Sequence, residues 1–229
     1  MMVFVAACQT GGDADVAGAT HGAANEASFS SQAGSATSRG ASAREKLLSQ
    51  EKFDPTALAQ ASIATDKRYF IDFRSRYALS YGHTFVVFGR VDSRGREVGV
   101  EVSGLAPASD DPAVYAAGHW VPVKSSTGWT DGDAEFEYMT AIWRVMLTKS
   151  EYDKVVADIR KLQESKTHWH AVVYNCNAYL GDIASSMGYR APNQWLMPRD
   201  YITRLRKMNG GKDAIGWTAP SARKPPGFS

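Results

Sequence analysis

Residues 81–91 combine β-branched and aromatic side chains in a run that favours a buried strand over a helix. The run is Tyr-Gly-His-Thr-Phe-Val-Val-Phe-Gly-Arg-Val, and the turn sequence Asp-Ser-Arg-Gly follows it at 92–95. Residues 98–102 then alternate as the partner strand of a hairpin would. This antiparallel hairpin limits the possible folds most, because the rest of the chain must cover its apolar side chains.

Strand and helix patterns follow one another irregularly in the rest of the chain. Apolar, β-branched segments predict strands at 120–123, 142–147 and 169–174. Apolar residues at helical spacing predict three helices, at 148–162 with a cap at Thr148 or Ser150, at 176–187 and at 199–208. Because no regular strand–helix–strand repeat links these segments, the pattern predicts the α+β class.

Composition predicts how the chain is divided. Residues 9–43 are rich in Gly, Ala, Ser and Thr and should form a disordered linker, since they contain too little apolar surface to fold. Residues 44–68 should form a helical lead-in broken at Pro55, and residues 69–208 the folded domain. The glycines and prolines of 209–229 predict a flexible tail.

The first eight residues resemble a targeting signal. The sequence Val-Ala-Ala-Cys at 5–8 resembles a bacterial lipobox, which predicts lipidation of Cys8 and a protein anchored in the bacterial cell envelope, facing the periplasm. Seven residues precede Cys8 and none is Lys or Arg, whereas a signal peptide needs a basic start and a longer apolar run. Either the start lies further upstream, or the match is accidental.

Charge argues against a nucleic-acid partner, and hydropathy argues against a membrane-spanning segment. The formal net charge is +2 and no basic stripe is present, so no nucleic-acid partner is expected. No apolar run reaches the roughly 18 to 20 residues that span a bilayer. The two cysteines, Cys8 and Cys176, fall in the leader and in the domain, so a disulfide between them is not expected. We expect a monomer without a cofactor.

Cys176 follows a predicted strand and begins a predicted helix. A helix N-terminus favours the thiolate over the thiol, and its free N–H groups can bind an oxyanion. Asn175 and Asn177 flank the cysteine and would support this helix start, because Asn is a natural helix cap. The alternative is a buried cysteine that acts as a small apolar side chain.

His83 is the candidate base for this thiol. It follows Gly82 within an apolar strand and should share one face with Phe85 and Val87. An unpaired imidazole in such surroundings would cost free energy, so a partner such as Cys176 is expected. A hydrogen-bonded core histidine remains the alternative.

These two motifs resemble a known superfamily. The sequences Gly-His-Thr-Phe-Val at 82–86 and Tyr-Asn-Cys-Asn-Ala-Tyr at 174–179 are similar to those of the circularly permuted papain-like hydrolases, which include permuted NlpC-type peptidases and lecithin-retinol acyltransferase-like proteins. The resemblance covers residues 69–208, and 175–192 also resembles bacterial lipoproteins of this type. It implies a permuted papain-like fold with an antiparallel sheet packed against helices.

The resemblance also implies roles for particular residues. Cys176 would be the nucleophile, His83 the base, and a third polar residue would orient the imidazole. For this third residue we rank His119 ahead of Glu101.

The expected function is that of a cysteine peptidase, amidase or acyltransferase. The substrate would be a small molecule, a peptide or a lipid acyl compound with an amide or ester bond. By analogy with envelope proteins of this superfamily, cell-wall peptide is the expected example. A catalytically inactive envelope lipoprotein that serves as a binding or structural module is the alternative. A zinc site at His168, His170 and Cys176 is also conceivable, but the spacing supplies no further ligands, so no metal is expected.

Overall fold

The computed structural model describes residues 42, 44, 46–78 and 82–220. The predicted lipidation at Cys8, nearly all of the predicted linker at 9–43, and residues 221–229 of the predicted tail lie outside the described residues.

A five-stranded antiparallel sheet forms the centre of the molecule, in the order β3-β2-β1-β6-β8, and a small sheet of order β4-β5-β7 lies apart from it. The strands are β1 (Tyr69–Arg76), β2 (His83–Val91), β3 (Glu97–Gly104), β4 (Ala106–Pro107), β5 (Val123–Ser126), β6 (Met139–Leu147), β7 (His168–Trp169) and β8 (Ile215–Thr218). The predicted hairpin is confirmed as β2 and β3, with a turn closed by hydrogen bonds between Asp92 and Gly95 and between Arg96 and Asp92.

Helices cover both faces of the large sheet. They are α1 (Pro55–Ile63), α2 (Pro112–Ala117), α3 (Lys149–Ser165), α4 (Cys176–Ser186) and α5 (Pro198–Asn209). Apolar side chains of α3, α4 and α5 form one core against the sheet, and α1 with Leu47 packs on the opposite face. The α+β prediction is confirmed. Within 46–78 and 82–220, none of the helices has the length and apolar character needed to cross a membrane.

The predicted strand at 169–174 is wrong beyond Trp169. His170 and Tyr174 exchange two backbone hydrogen bonds of 3.1 Å each, which close a tight turn between them. The His170 ring stabilises this turn, because its Nδ1 accepts from the N–H groups of Val172 and Val173. Both valines are therefore exposed at the tip of a turn instead of buried in a sheet.

The predicted strand at 120–123 is also displaced. The N–H groups of Trp120 and Val121 both donate to the carbonyl of Ala117, which continues the turn after α2. Pairing therefore starts only at Val123, opposite Trp169.

The prediction of a flexible tail at 209–229 is wrong for its first part. Residues 215–218 form β8, which pairs with β6, and Ile215 and Trp217 are buried. The strand is only four residues long and lies close to several glycines and Pro220, so its alternation was too short to outweigh those turn signals.

A buried ionic network joins α1 to the sheet. The Asp72 carboxylate of β1 accepts hydrogen bonds from Arg74, at 2.6 Å, and from Arg144 of β6, at 2.7 Å. Arg144 also donates to Ser62 of α1 and pairs with Glu97. Burial raises the pKa of Asp72, but the charges and hydrogen bonds of Arg144 and Arg74 outweigh burial and hold it below its usual range.

Replacement of Trp217 tests whether β8 belongs to the core. Trp217→Ala should lower the free energy of unfolding by about 3–5 kcal/mol, because it empties a buried site and removes the hydrogen bond to the Gln50 carbonyl. Trp129→Ala, at a side chain that is 54% exposed, is the matched control and should have little effect. Equal losses for both variants in urea unfolding would contradict the assignment of β8.

Replacement of Asp72 tests the ionic network. Asp72→Asn should destabilise the protein by about 3–5 kcal/mol, because two buried guanidinium groups lose a shared carboxylate. Because the pKa of Asp72 is lower in the folded than in the unfolded state, the carboxylate stabilises the fold fully at pH values above its unfolded-state pKa of about 3.9. This stabilisation is lost as the pH falls toward the folded-state pKa. The variant's stability should therefore change less with pH on the acid side than the wild type's. Asp153→Asn, at a surface ion pair, is the control.

Candidate active site

Cys176 is the first residue of α4, and the residue before it caps the helix. Asn175 has an extended backbone, and its Oδ1 accepts a hydrogen bond of 3.1 Å from the N–H of Ala178. Its Nδ2 donates to the carbonyl of Ala171, which ties the cap to the preceding turn. The sequence therefore positions the thiol where the helix dipole favours a negative charge.

His83 is the first residue of β2 and is held by its surroundings. Gly82 before it has a φ of +91°, and a Cβ atom there would lie 2.6 Å from the carbonyl oxygen of Arg76, so only glycine fits. The imidazole is 8% exposed and stacks on the Phe85 ring, with centroids 5.8 Å apart and planes inclined by 13°. The prediction that His83 and Phe85 share a face is confirmed.

The structure brings Cys176 and His83 together. Burial raises the pKa of the Cys176 thiol, but hydrogen bonding and charge attraction from His83 act against burial, and so do hydrogen bonds from the Thr84 side chain and backbone N–H. The net effect is a pKa below the usual thiol value, which increases the fraction of nucleophilic thiolate. The thiolate also lies close to α5, since burial and then the Cys176 charge raise the pKa of Tyr201.

Thr84 is part of the site although the sequence patterns did not single it out. Its hydroxyl is fully buried and donates to Asn177 Oδ1 at 3.0 Å. One hydroxyl proton cannot serve Asn177 and the thiolate at once, so His83 and the Thr84 N–H are the constant partners of the sulfur. Strand alternation was the available signal, because it turns Thr84 toward the face that α4 covers.

The two asparagines fix the segment 194–196 against the helix start. Asn177 is 3% exposed, and its Nδ2 donates to the carbonyls of Gln194 and Leu196 at 3.0 and 2.8 Å. Asn175 also donates to the Gln194 carbonyl, at 3.3 Å. Both carboxamide groups thus hold the backbone, so their side chains support the helix start.

Neither candidate for the third residue contacts the free edge of the His83 ring. His83 Nε2 is buried and has no hydrogen-bond partner among the described residues. Glu101 pairs with Arg160 and lies opposite Phe88, toward the other end of β3. His119 lies just beyond α2, with its Nδ1 3.0 Å from the Tyr115 carbonyl oxygen. Counting back from the turn in the sequence already places Glu101 nearer Phe88 than His83, and the strand register confirms this.

The histidines near Cys176 serve other contacts. His168 is exposed beside the Thr167 hydroxyl, and His170 uses its Nδ1 in the turn before α4. In the described part of the chain, no group of three His, Cys, Asp or Glu residues is arranged to hold a metal ion.

An exposed apolar surface, here called the apolar rim, lies beside the helix start. Gln194 Nε2 donates to the carbonyls of Val172 and Val173, and Trp195 Nε1 donates to the Val172 carbonyl at 3.0 Å. Two loops thus meet with their large side chains in solvent, as the exposed fractions of Val173 at 68% and Trp195 at 69% show. The rim consists of Val172, Val173, Trp195, Leu196 and Met197.

Comparisons with protein-family models, with curated proteins and with solved structures gave no significant match. The chemical interpretation of the site therefore depends on its geometry and on the two sequence motifs.

Asn177→Ala tests how the site is held together. The variant removes one acceptor from Thr84 and two donors from the 194–196 segment, so we expect a loss of about 1–3 kcal/mol in unfolding free energy. Hydrogen exchange should accelerate at 194–197. Lys207→Ala, at an exposed residue of α5, is the control and should leave exchange at 194–197 unchanged. Similar exchange in both variants would contradict the role of Asn177.

Proposed function

We propose that this protein is a thiol-dependent acyl hydrolase or acyltransferase with a Cys176–His83 dyad. The observation that carries the proposal is the placement of Cys176 at the start of α4 beside His83, a contact that outweighs burial and holds the pKa of the thiol below its usual value. A strand histidine that precedes a helix-start cysteine, with an antiparallel sheet against helices, also supports a permuted papain-like fold.

The residues of the site can carry both halves of an acyl transfer. The Cys176 thiolate attacks the carbonyl carbon of an amide or ester, and the electron pair of the C=O bond moves to oxygen. Backbone N–H groups of Cys176 and Asn177, in the first turn of α4, have no helical acceptor and would bind this oxyanion. The His83 imidazolium gives its proton to the leaving amine or alcohol, and an acyl-thioester remains.

The second half returns the enzyme to its first state. His83 takes a proton from water, or from an acceptor alcohol or amine, which attacks the thioester carbonyl. The Cys176 thiolate leaves, and the product is an acid in hydrolysis or a new ester or amide in acyl transfer. The apolar rim beside the helix start favours an acyl donor that carries an apolar group. Anchoring at Cys8 in a bacterial envelope remains part of the proposal.

A binding module without catalytic activity is the second candidate. The observation in its favour is the His83 Nε2 atom, which no described side chain orients by a hydrogen bond. In that case the contact between His83 and Cys176 would only satisfy two buried groups.

Trapping of the acyl-thioester distinguishes the two candidates. The full chain is incubated with p-nitrophenyl esters of increasing acyl length, and the mass added at Cys176 is followed with time. Acylation should fail in Cys176→Ala and slow by about 10²–10⁴-fold in His83→Ala, because the base is lost. His168→Ala, at an exposed histidine, is the matched control and should react as the wild type does. Equal rates in His83→Ala and wild type would overturn the dyad.

A further inference from the structure

The Nε2 edge of the His83 ring faces the backbone of β3. A Cβ atom placed on Gly104 would lie 2.9 Å from His83 Nε2 and 2.9 Å from the Cβ of Phe85. Real Cβ atoms essentially never approach other atoms so closely, so a side chain at 104 would have to displace the imidazole or the strand.

The strand register explains this close approach. Phe85 pairs with Gly104 across β2 and β3, so a side chain at 104 would project on the same face as Phe85. His83 is two residues before Phe85 and projects on that face too, with its ring stacked on that of Phe85. The glycine therefore leaves the space that the imidazole ring occupies.

Backbone conformation gives no other reason for a glycine here. Six of the described glycines have a positive φ, among them Gly82 and Gly188, and Gly104 is not one of them. An alanine could adopt the backbone of Gly104 without strain, so the requirement at this position is one of space alone.

The position of Nε2 also decides which nitrogen serves the thiol. His83 hydrogen-bonds to Cys176, whereas its Nε2 has no hydrogen-bond partner among the described residues. We therefore take Nδ1 as the nitrogen that faces Cys176. Since no described residue hydrogen-bonds to this far edge of the ring, packing would hold the ring's orientation.

We propose that Gly104 is the positioning residue of His83, and that close packing between Gly104 and Phe85 replaces the third polar residue of a triad. The proposal rests on the proposed function, because it explains how Nδ1 stays directed at the Cys176 sulfur. Gly104 acts through His83 and touches neither the substrate nor the thiol in this role.

Gly104→Ala tests the proposal through the pH profile of Cys176 alkylation by iodoacetamide, followed by peptide mass spectrometry on the full chain. We expect the midpoint of the variant to rise toward that of His83→Ala, because the added Cβ displaces the imidazole. Gly128→Ala is the matched control, since Gly128 has no positive φ and nothing lies within 4 Å of its Cβ position. An unchanged midpoint in folded Gly104→Ala would overturn the proposal.

The wild-type profile separates this proposal from the proposed function. If Cys176 in the wild type titrates like the same cysteine in the urea-unfolded chain, the activated dyad itself fails. If the wild-type midpoint is lowered and Gly104→Ala keeps it, only the role of Gly104 fails. Near-UV circular dichroism verifies that the variants are folded.

A second measurement does not depend on the folding of Gly104→Ala. In ¹⁵N-histidine NMR spectra, Cys176→Ala should shift the Nδ1 resonance of His83 strongly and leave Nε2 almost unchanged. A shift mainly at Nε2 would mean that this nitrogen faces the sulfur, and it would overturn the packing argument.

Discussion

One buried hydrogen bond, from the Thr84 hydroxyl to the Asn177 carboxamide oxygen, joins the start of β2 to the start of α4 across 93 positions of the chain. Asn177 also binds the 194–196 segment, so three separate parts of the chain meet at one amide group. His83 and Cys176 are the sequence neighbours of these two residues, so this junction holds together the two chain segments that carry the imidazole and the thiol. A buried amide with all its groups satisfied gives such a junction a single arrangement.

The rest of the fold holds the two elements at this junction. β1 lies at the centre of the large sheet, between β2 and β6, and its Asp72 is bound to Arg74 and Arg144. On the other face, α4 is buried through Leu180 and Ile183, which packs its axis against the sheet and directs its N-terminus toward β2. The positions of His83 and Cys176 thus depend on the two cores, while their chemistry depends on local contacts. Cys176 can therefore be only partly buried although the domain that positions it is well packed.

The sequence predicted the elements that have long, regular patterns. The hairpin of β2 and β3, the capped helix α3, and the helices α4 and α5 were all visible, because each repeats its apolar spacing over several turns or residues. The pair Cys176 and His83 was proposed from position and order, and the structure brings the two side chains together. The central strand β1 was not predicted although it has eight residues, because the charged Asp72 and Arg74 interrupt its apolar pattern. Short elements failed too: β8 has four residues, and the apolar residues at 172–173 belong to a turn.

The details of the site depend on register and could not be obtained from patterns. Gly104 is close to His83 only because the hairpin pairs it with Phe85, and Thr84 contacts Asn177 only because α4 packs on that face. His119 and Glu101 were candidate orienting residues because of their places at a predicted strand start and on the partner strand, but neither hydrogen-bonds to His83 Nε2. A glycine at the end of a strand was the one available sign of a close approach, and its meaning needs the neighbouring strand.

The absorbance of the thiolate near 240 nm, measured against pH in the full chain with Cys8→Ser, tests the central claim most directly. Taken as the difference from Cys176→Ala at each pH, which cancels the absorbance of ionising tyrosines, it reports the ionised Cys176 thiol without any substrate or reagent. The account predicts a titration midpoint below the usual value of about 8.5, and a rise of that midpoint in His83→Gln. A wild-type midpoint at or above the usual value, or one that His83→Gln leaves unchanged, would contradict it.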